Sequence, residues 1–113
     1  SRVLVMGVTF KENVSDIRNS RVADVVSELK SYGVLVDVVD PFANSEEVKH
    51  EYGFDMAEKA SGNYDAIIVA VSHLEYAMLT EKDFTPMAAD KCILVDVKGM
   101  YRGKIKQMSY WSL

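Results

Sequence analysis

Short apolar runs that end at turn residues alternate with stretches of helical period along this chain, and that alternation limits the fold more than any other feature. Val3 to Met6 is wholly apolar and stops at Gly7, the pattern of a strand buried on both faces. After Ser20, apolar residues fall at Val22, Val25, Val26 and Leu29, a helical stripe with Asn19 or Ser20 as N-cap and Gly33 closing it. Val34 to Val39 is a second strand, ended by Asp40-Pro41, because proline lacks the donor that a strand ladder needs.

Further along, Ser45 to Tyr52 predicts a helix with Glu46 and Glu47 in its first turn and Gly53 after it, and a weak helix follows around Met56 to Ala60. Asp65 to Val71 and Lys91 to Val97 read as third and fourth strands, with a short helix from His73 to Leu79 between them. Met100 to Leu113 shows no clear period. Apolar strands separated by helices pair in parallel through right-handed crossovers, so the expected fold is α/β, a doubly wound and mainly parallel sheet in a single domain. For a 2-1-3-4 strand order, ligands bind beyond the carboxyl ends of the strands, between strands one and three. The loop from Gly7 to Asn19 and the turns Ser72-His73 and Lys98-Gly99 would all open there.

Composition narrows the partners. The 113 residues suffice for one apolar core, and the longest apolar run, Ala66 to Val71, is too short to span a bilayer. A net charge of −4 argues against general nucleic-acid binding, which needs a basic face to release counterions. One cysteine, Cys92 in an apolar run, cannot form an internal disulfide; it reads as a small buried hydrophobe in a reducing cytoplasm. His50 and His73 lack ligand partners at metal-binding spacing, so no metal site is expected, and His73 reads as a helix-start residue rather than a base. The chain enters a strand at once with no initiating Met, which suggests part of a longer protein.

Lys11, Arg18 and Arg21 crowd the loop between the first strand and the first helix, whose free N–H groups and dipole favour an anion, most plausibly phosphate. A solvated loop with ordinary surface charges fits the same spacing. The loop lacks Gly-x-Gly-x-x-Gly: Val8, Thr9 and Phe10 after Gly7 would block close approach of a pyrophosphate, so this is not an ordinary dinucleotide turn. Asp40 stands where a ribose-binding acid would sit, but without those glycines it reads as a turn residue before proline. A receiver-type phosphoacceptor fails because strand three ends Ala70-Val71-Ser72, without an aspartate.

Gly7-x-Thr9-Phe10-Lys11-x-Asn13-x-x-Asp16-x-Arg18-Asn19-Ser20 resembles the G-x-[TA]-F-K-x-[ND]-x-x-D-x-R-x-S motif that opens the C-terminal domain of the UDP-glucose/GDP-mannose dehydrogenase family. Asp40-Pro41 and Asp65-Ala66-Ile67-Ile68-Val69-Ala70 with His73 and Tyr76 extend the resemblance across almost the whole chain. It implies a Rossmann-like, nucleotide-sugar-binding C-terminal domain over residues 1–113, belonging to an NAD-dependent enzyme that oxidises a UDP-sugar C6 hydroxyl to a carboxylate for surface polysaccharide synthesis. By the same resemblance Phe10, Lys11 and Lys98 would contact the UDP-sugar and Arg18 would reach NAD held by a domain outside this chain. Apart from the resemblance, Asp16 beside Arg18 is expected to orient that arginine or to cap the loop.

The chain alone would hold no catalytic residue, since Cys92 lies outside the family's cysteine motif. Its partners would be the NAD-binding and central helical domains of the same polypeptide, in a cytoplasmic homodimer. Lys98 where many UDP-glucose enzymes carry arginine, followed by Gly99-x-Tyr101, resembles the branch acting on UDP-N-acetylhexosamines. The alternative is a stand-alone nucleotide or sugar-phosphate binding module with no redox role.

Overall fold

A computed structural model describes residues 1–9 and 12–113. Five strands, β1 (Arg2–Met6), β2 (Leu35–Val39), β3 (Tyr64–Val69), β4 (Ala88–Asp96) and β5 (Ser109–Ser112), form one sheet in the order β2-β1-β3-β4-β5, with every neighbouring pair parallel. The helices are α1 (Arg21–Ser31), α2 (Ser45–Tyr52), α3 (Leu74–Ala77) and α4 (Glu81–Phe84), with a 3₁₀ turn at Thr85–Met87.

Alternation along β1 shows why both faces must be covered. Val3 and Val5 pack with Ala23 and Val26 of α1 and Val48 of α2, whereas Leu4 and Met6 pack with Tyr76, Phe84 and Tyr101 on the other side. Each fully buried aliphatic side chain of this kind, such as Leu4 or Ile67, contributes about 1.5–3 kcal/mol by leaving water. Helix α1 is capped by Ser20, whose Oγ accepts from the Ala23 amide, and ends before Tyr32 and Gly33, the latter at φ 81°.

Four readings of the sequence are corrected. Met56 to Ala60 is not helical: the Ala57 amide donates to the Val38 carbonyl, so this segment is tied to the sheet rather than to itself. The stretch without period after Met100 ends in β5, a parallel edge strand whose amphipathic Ser-Tyr-Trp-Ser is too short to register as a pattern. Helix α3 occupies only Leu74–Ala77 of the span from His73 to Leu79. Strand β4 also begins earlier, at Ala88, and its pairing with β3 shifts between Tyr64 and Ala66. Among the described residues no helix is long and apolar enough to cross a membrane.

Candidate functional site

Strand order reverses direction between β1 and β3, and the carboxyl ends of these strands and of β4 open on a crevice of about 270 Å³. Thr9, Asn19, Arg21, Val22, Val71 and Lys98 line it, so two cations face a space bounded by the first turn of α1. The first N–H groups of that helix have no intrahelical carbonyl to bind, and with Arg21 and Lys98 they make the crevice attractive to a phosphate-bearing ligand.

Gly7 brings the walls together. It adopts φ 100°, and a Cβ there would lie 2.7 Å from Val71 Cβ, so the end of β1 and the turn after β3 touch backbone to side chain. The Gly7 amide donates to the Val39 carbonyl and the Ala70 amide to the Met6 carbonyl, which extends the sheet register into the loops. Asn13 and Asn19 both sit at positive φ, 59° and 58°, a conformation that asparagine tolerates better than most residues.

Two buried aspartates organise the loops. Asp40, after β2, accepts from the amides of Val8 and Thr9 through Oδ2 and from those of Phe42 and Ala43 through Oδ1. Its Oδ2 also meets His73 Nε2 at 2.9 Å, and both side chains are fully buried. Asp96, at the end of β4, accepts from the amides of Met100 and Tyr101 and from the Tyr110 hydroxyl. It thereby closes the turn that presents Lys98. Sequence reasoning found the turn role of Asp40 but missed its grip on the first loop, and missed Asp96 altogether. Each is an acid at the carboxyl end of an apolar strand, a position from which a side chain reaches the neighbouring loop amides.

Arg18 stands apart from the crevice lining. Its side chain is largely exposed and is gripped by Asp16, with Nε and Nη2 donating to the two carboxylate oxygens at 3.0 and 3.1 Å. That ion pair holds the Asp16 carboxyl below its ordinary range and raises the guanidinium above its own. Asp16 does orient Arg18, as expected from the sequence. Phe10 and Lys11 lie outside the described residues. Cys92 is buried, which pushes its thiol pKa up and leaves it a poor nucleophile. Among the described residues no cluster of His, Cys, Asp or Glu could hold a metal ion.

NAD does not fit the first turn of this domain. Thr9 stands where a dinucleotide turn carries the second glycine that lets the pyrophosphate approach, and Asp40 already engages backbone amides and His73 with its two oxygens, leaving it unable to receive a ribose.

A Salmonella typhi protein named UDP-N-acetyl-D-glucosamine 6-dehydrogenase is 48% identical over 99 residues, which cover 87% of this chain and 23% of that protein. A Pseudomonas aeruginosa protein of the same name is 41% identical over 99 residues, 87% of this chain and 24% of its own. The native structure of the UDP-N-acetyl-mannosamine dehydrogenase Cap5O from Staphylococcus aureus superposes with a TM-score of 0.78 at 21% identity, covering 99% of this chain and 26% of that one, a likeness of fold. This chain therefore spans about a quarter of the length of these proteins. Residues 4–103 match the UDP binding domain of the UDP-glucose/GDP-mannose dehydrogenase family, and the chain belongs to that family.

Proposed function

We propose that this chain is the nucleotide-sugar-binding domain of an NAD-dependent UDP-sugar 6-dehydrogenase that supplies uronic acids for surface polysaccharide. The observation that carries the reading is the crevice at the strand-order reversal, where Arg21, Lys98 and the N-terminus of α1 converge on a space suited to a diphosphate. Lys98 acts as a point charge on the diphosphate, and Phe10 and Lys11 contact the nucleotide-sugar in keeping with the family motif. Arg18, turned outward, reaches NAD held on the preceding domain, which brings hydride chemistry to the sugar when bound. The contribution of this chain is to hold the sugar in place and exclude water, with the reacting groups elsewhere in a cytoplasmic homodimer. N-acetylhexosamine substrates are favoured by Lys98-Gly99-x-Tyr101 and by the names of the two bacterial relatives.

Calorimetric titration of the complete polypeptide with UDP tests this. Lys98→Met is expected to weaken UDP binding about tenfold and to flatten its salt dependence, as loss of one phosphate contact requires. Unchanged affinity and unchanged salt dependence would remove Lys98 from the site. A complete polypeptide that binds UDP but oxidises no UDP-sugar with NAD would favour the stand-alone binding module.

A further inference from the structure

We propose that His73 is a positioning residue, fixed as the neutral tautomer with its proton on Nε2, that holds the β1–α1 loop in place for ligand; the ligand part of this rests on the crevice being a UDP site. The argument starts from the amide of Asn13. It donates to His73 Nδ1 at 2.9 Å, so that nitrogen must present a lone pair. The proton then belongs to Nε2, which donates to Asp40 Oδ2 at 2.9 Å and also lies 3.3 Å from Thr9 Oγ1. An imidazolium would place a second proton on Nδ1, facing an N–H donor.

Burial makes the arrangement rigid. The side chains of His73 and Asp40 are both fully buried, and the imidazole contacts the rings of Phe42, 4.7 Å away, and Tyr76, 5.3 Å away. The tie is doubled from the other side, because Asn13 Oδ1 accepts from the Leu74 amide at the start of α3. One connected set, Asp40, His73 and Asn13, therefore fixes both flanks of the loop: Asp40 takes the amides of Val8 and Thr9, and His73 takes that of Asn13. Nothing in the fold of α3 demands this, since His73 at its N-cap makes no side-chain capping bond. The ring instead turns inward to the loop. Holding Val8, Thr9 and Asn13 in place before ligand arrives spares binding that cost, so apparent affinity should track how well these flanks are held.

Three measurements on the complete polypeptide test the proposal. With ¹⁵N-labelled histidine, His73 should show a bare Nδ1 and a protonated Nε2 at neutral pH; the opposite tautomer, or a doubly protonated ring, overturns it. Asn13→Gly keeps the positive φ and the amide but removes the bond to Leu74, so it should lower UDP affinity about threefold to tenfold with an unchanged thermal midpoint. His73→Ala should lower affinity further and expose the Asn13 amide to hydrogen exchange, and His73→Asn, which retains an acceptor near the Nδ1 position, should recover part of both. Val26→Ala, a core change on α1 outside the crevice lining and with no contact to His73 or Asp96, should lower the midpoint without altering affinity. If the His73 variants lose affinity only in proportion to their midpoints, as Val26→Ala would then also do, His73 is merely structural. If the parent protein does not bind UDP, the proposed function fails, whereas the tautomer and the Asn13 exchange still decide whether His73 holds the loop.

Discussion

Arg18 and Asp16 form a two-pronged ion pair on the outer side of the β1–α1 loop, and the Arg18 amide donates to the same carboxylate at 2.9 Å. Two side-chain bonds to one acid two residues away, with the amide bond beside them, fix the guanidinium on an exposed side chain that is not among the crevice-lining residues. An exposed pair of this kind adds little to stability. Its value lies in orientation, since the planar fork is already organised for a second partner such as a phosphate.

Arg18→Ala is therefore expected to leave the thermal midpoint of the complete protein unchanged, raise KM for NAD about tenfold or more, and keep UDP affinity within about twofold. Steady-state kinetics with a UDP titration separate these quantities. A fall in UDP affinity with KM for NAD untouched would assign Arg18 to the nucleotide-sugar instead.

Gly7→Ala tests the contact that joins β1 to the turn after β3. The new Cβ would lie 2.7 Å from Val71 Cβ and 3.0 Å from its amide nitrogen, at φ 100°, so crowding and backbone strain act together. A loss of about 2–4 kcal/mol in denaturant unfolding is expected. Val71→Ala should not rescue it, because the Cβ and the backbone nitrogen that crowd the site remain.

The sheet was readable from the sequence because each core strand carries a short, mostly apolar run followed by Gly7, Asp40-Pro41, Ser72 or Gly99, and hydrophobic burial on both faces leaves such runs few alternatives. Strand β5 was not readable, since Ser-Tyr-Trp-Ser gains its place from pairing with β4 and from side chains outside it, Asp96 on Tyr110 and Arg102 on Ser112. In the site, the cations of the loop were visible as charges crowded before a helix start, and Lys98 through the family resemblance. The ties that place them were not, because Asp40 to His73 and Asp96 to Tyr110 join residues far apart in sequence. A single sequence marks Asp40 as a turn residue, and that reading is correct but covers only one of its two oxygens.

Glu81 at the start of α4 accepts from the amides of Lys106, Gln107 and Met108 and so docks the segment that leads into β5. These amides stabilise the carboxylate and lower its pKa. A carboxyl with a depressed folded value contributes stability that is complete above its unfolded pKa, and loses it as pH falls through the folded value. Hydrogen exchange at Lys106 to Met108 should accordingly lose protection as pH falls through that depressed value, below the ordinary glutamate range and ahead of the amides of β1 and β3. In Glu81→Ala those amides should exchange freely at neutral pH as well. An acid transition that survives this substitution would belong to a different carboxylate.

Asp96 couples the docking of β5 to the placement of Lys98. The buried carboxylate accepts from Met100 and Tyr101 amides at 3.1 and 2.7 Å and from the Tyr110 hydroxyl at 2.5 Å, and Lys98 lies inside the turn those bonds close. Asp96→Ala strands three donors, with an expected cost of about 2–4 kcal/mol in denaturant unfolding and a parallel loss of UDP affinity. Tyr110→Phe removes only the hydroxyl bond, so it should cost about 1 kcal/mol and leave UDP affinity intact, because both turn amides keep their acceptor. The pair of variants separates the two roles: equal losses of affinity would mean that Lys98 is positioned by β5 and not by the turn.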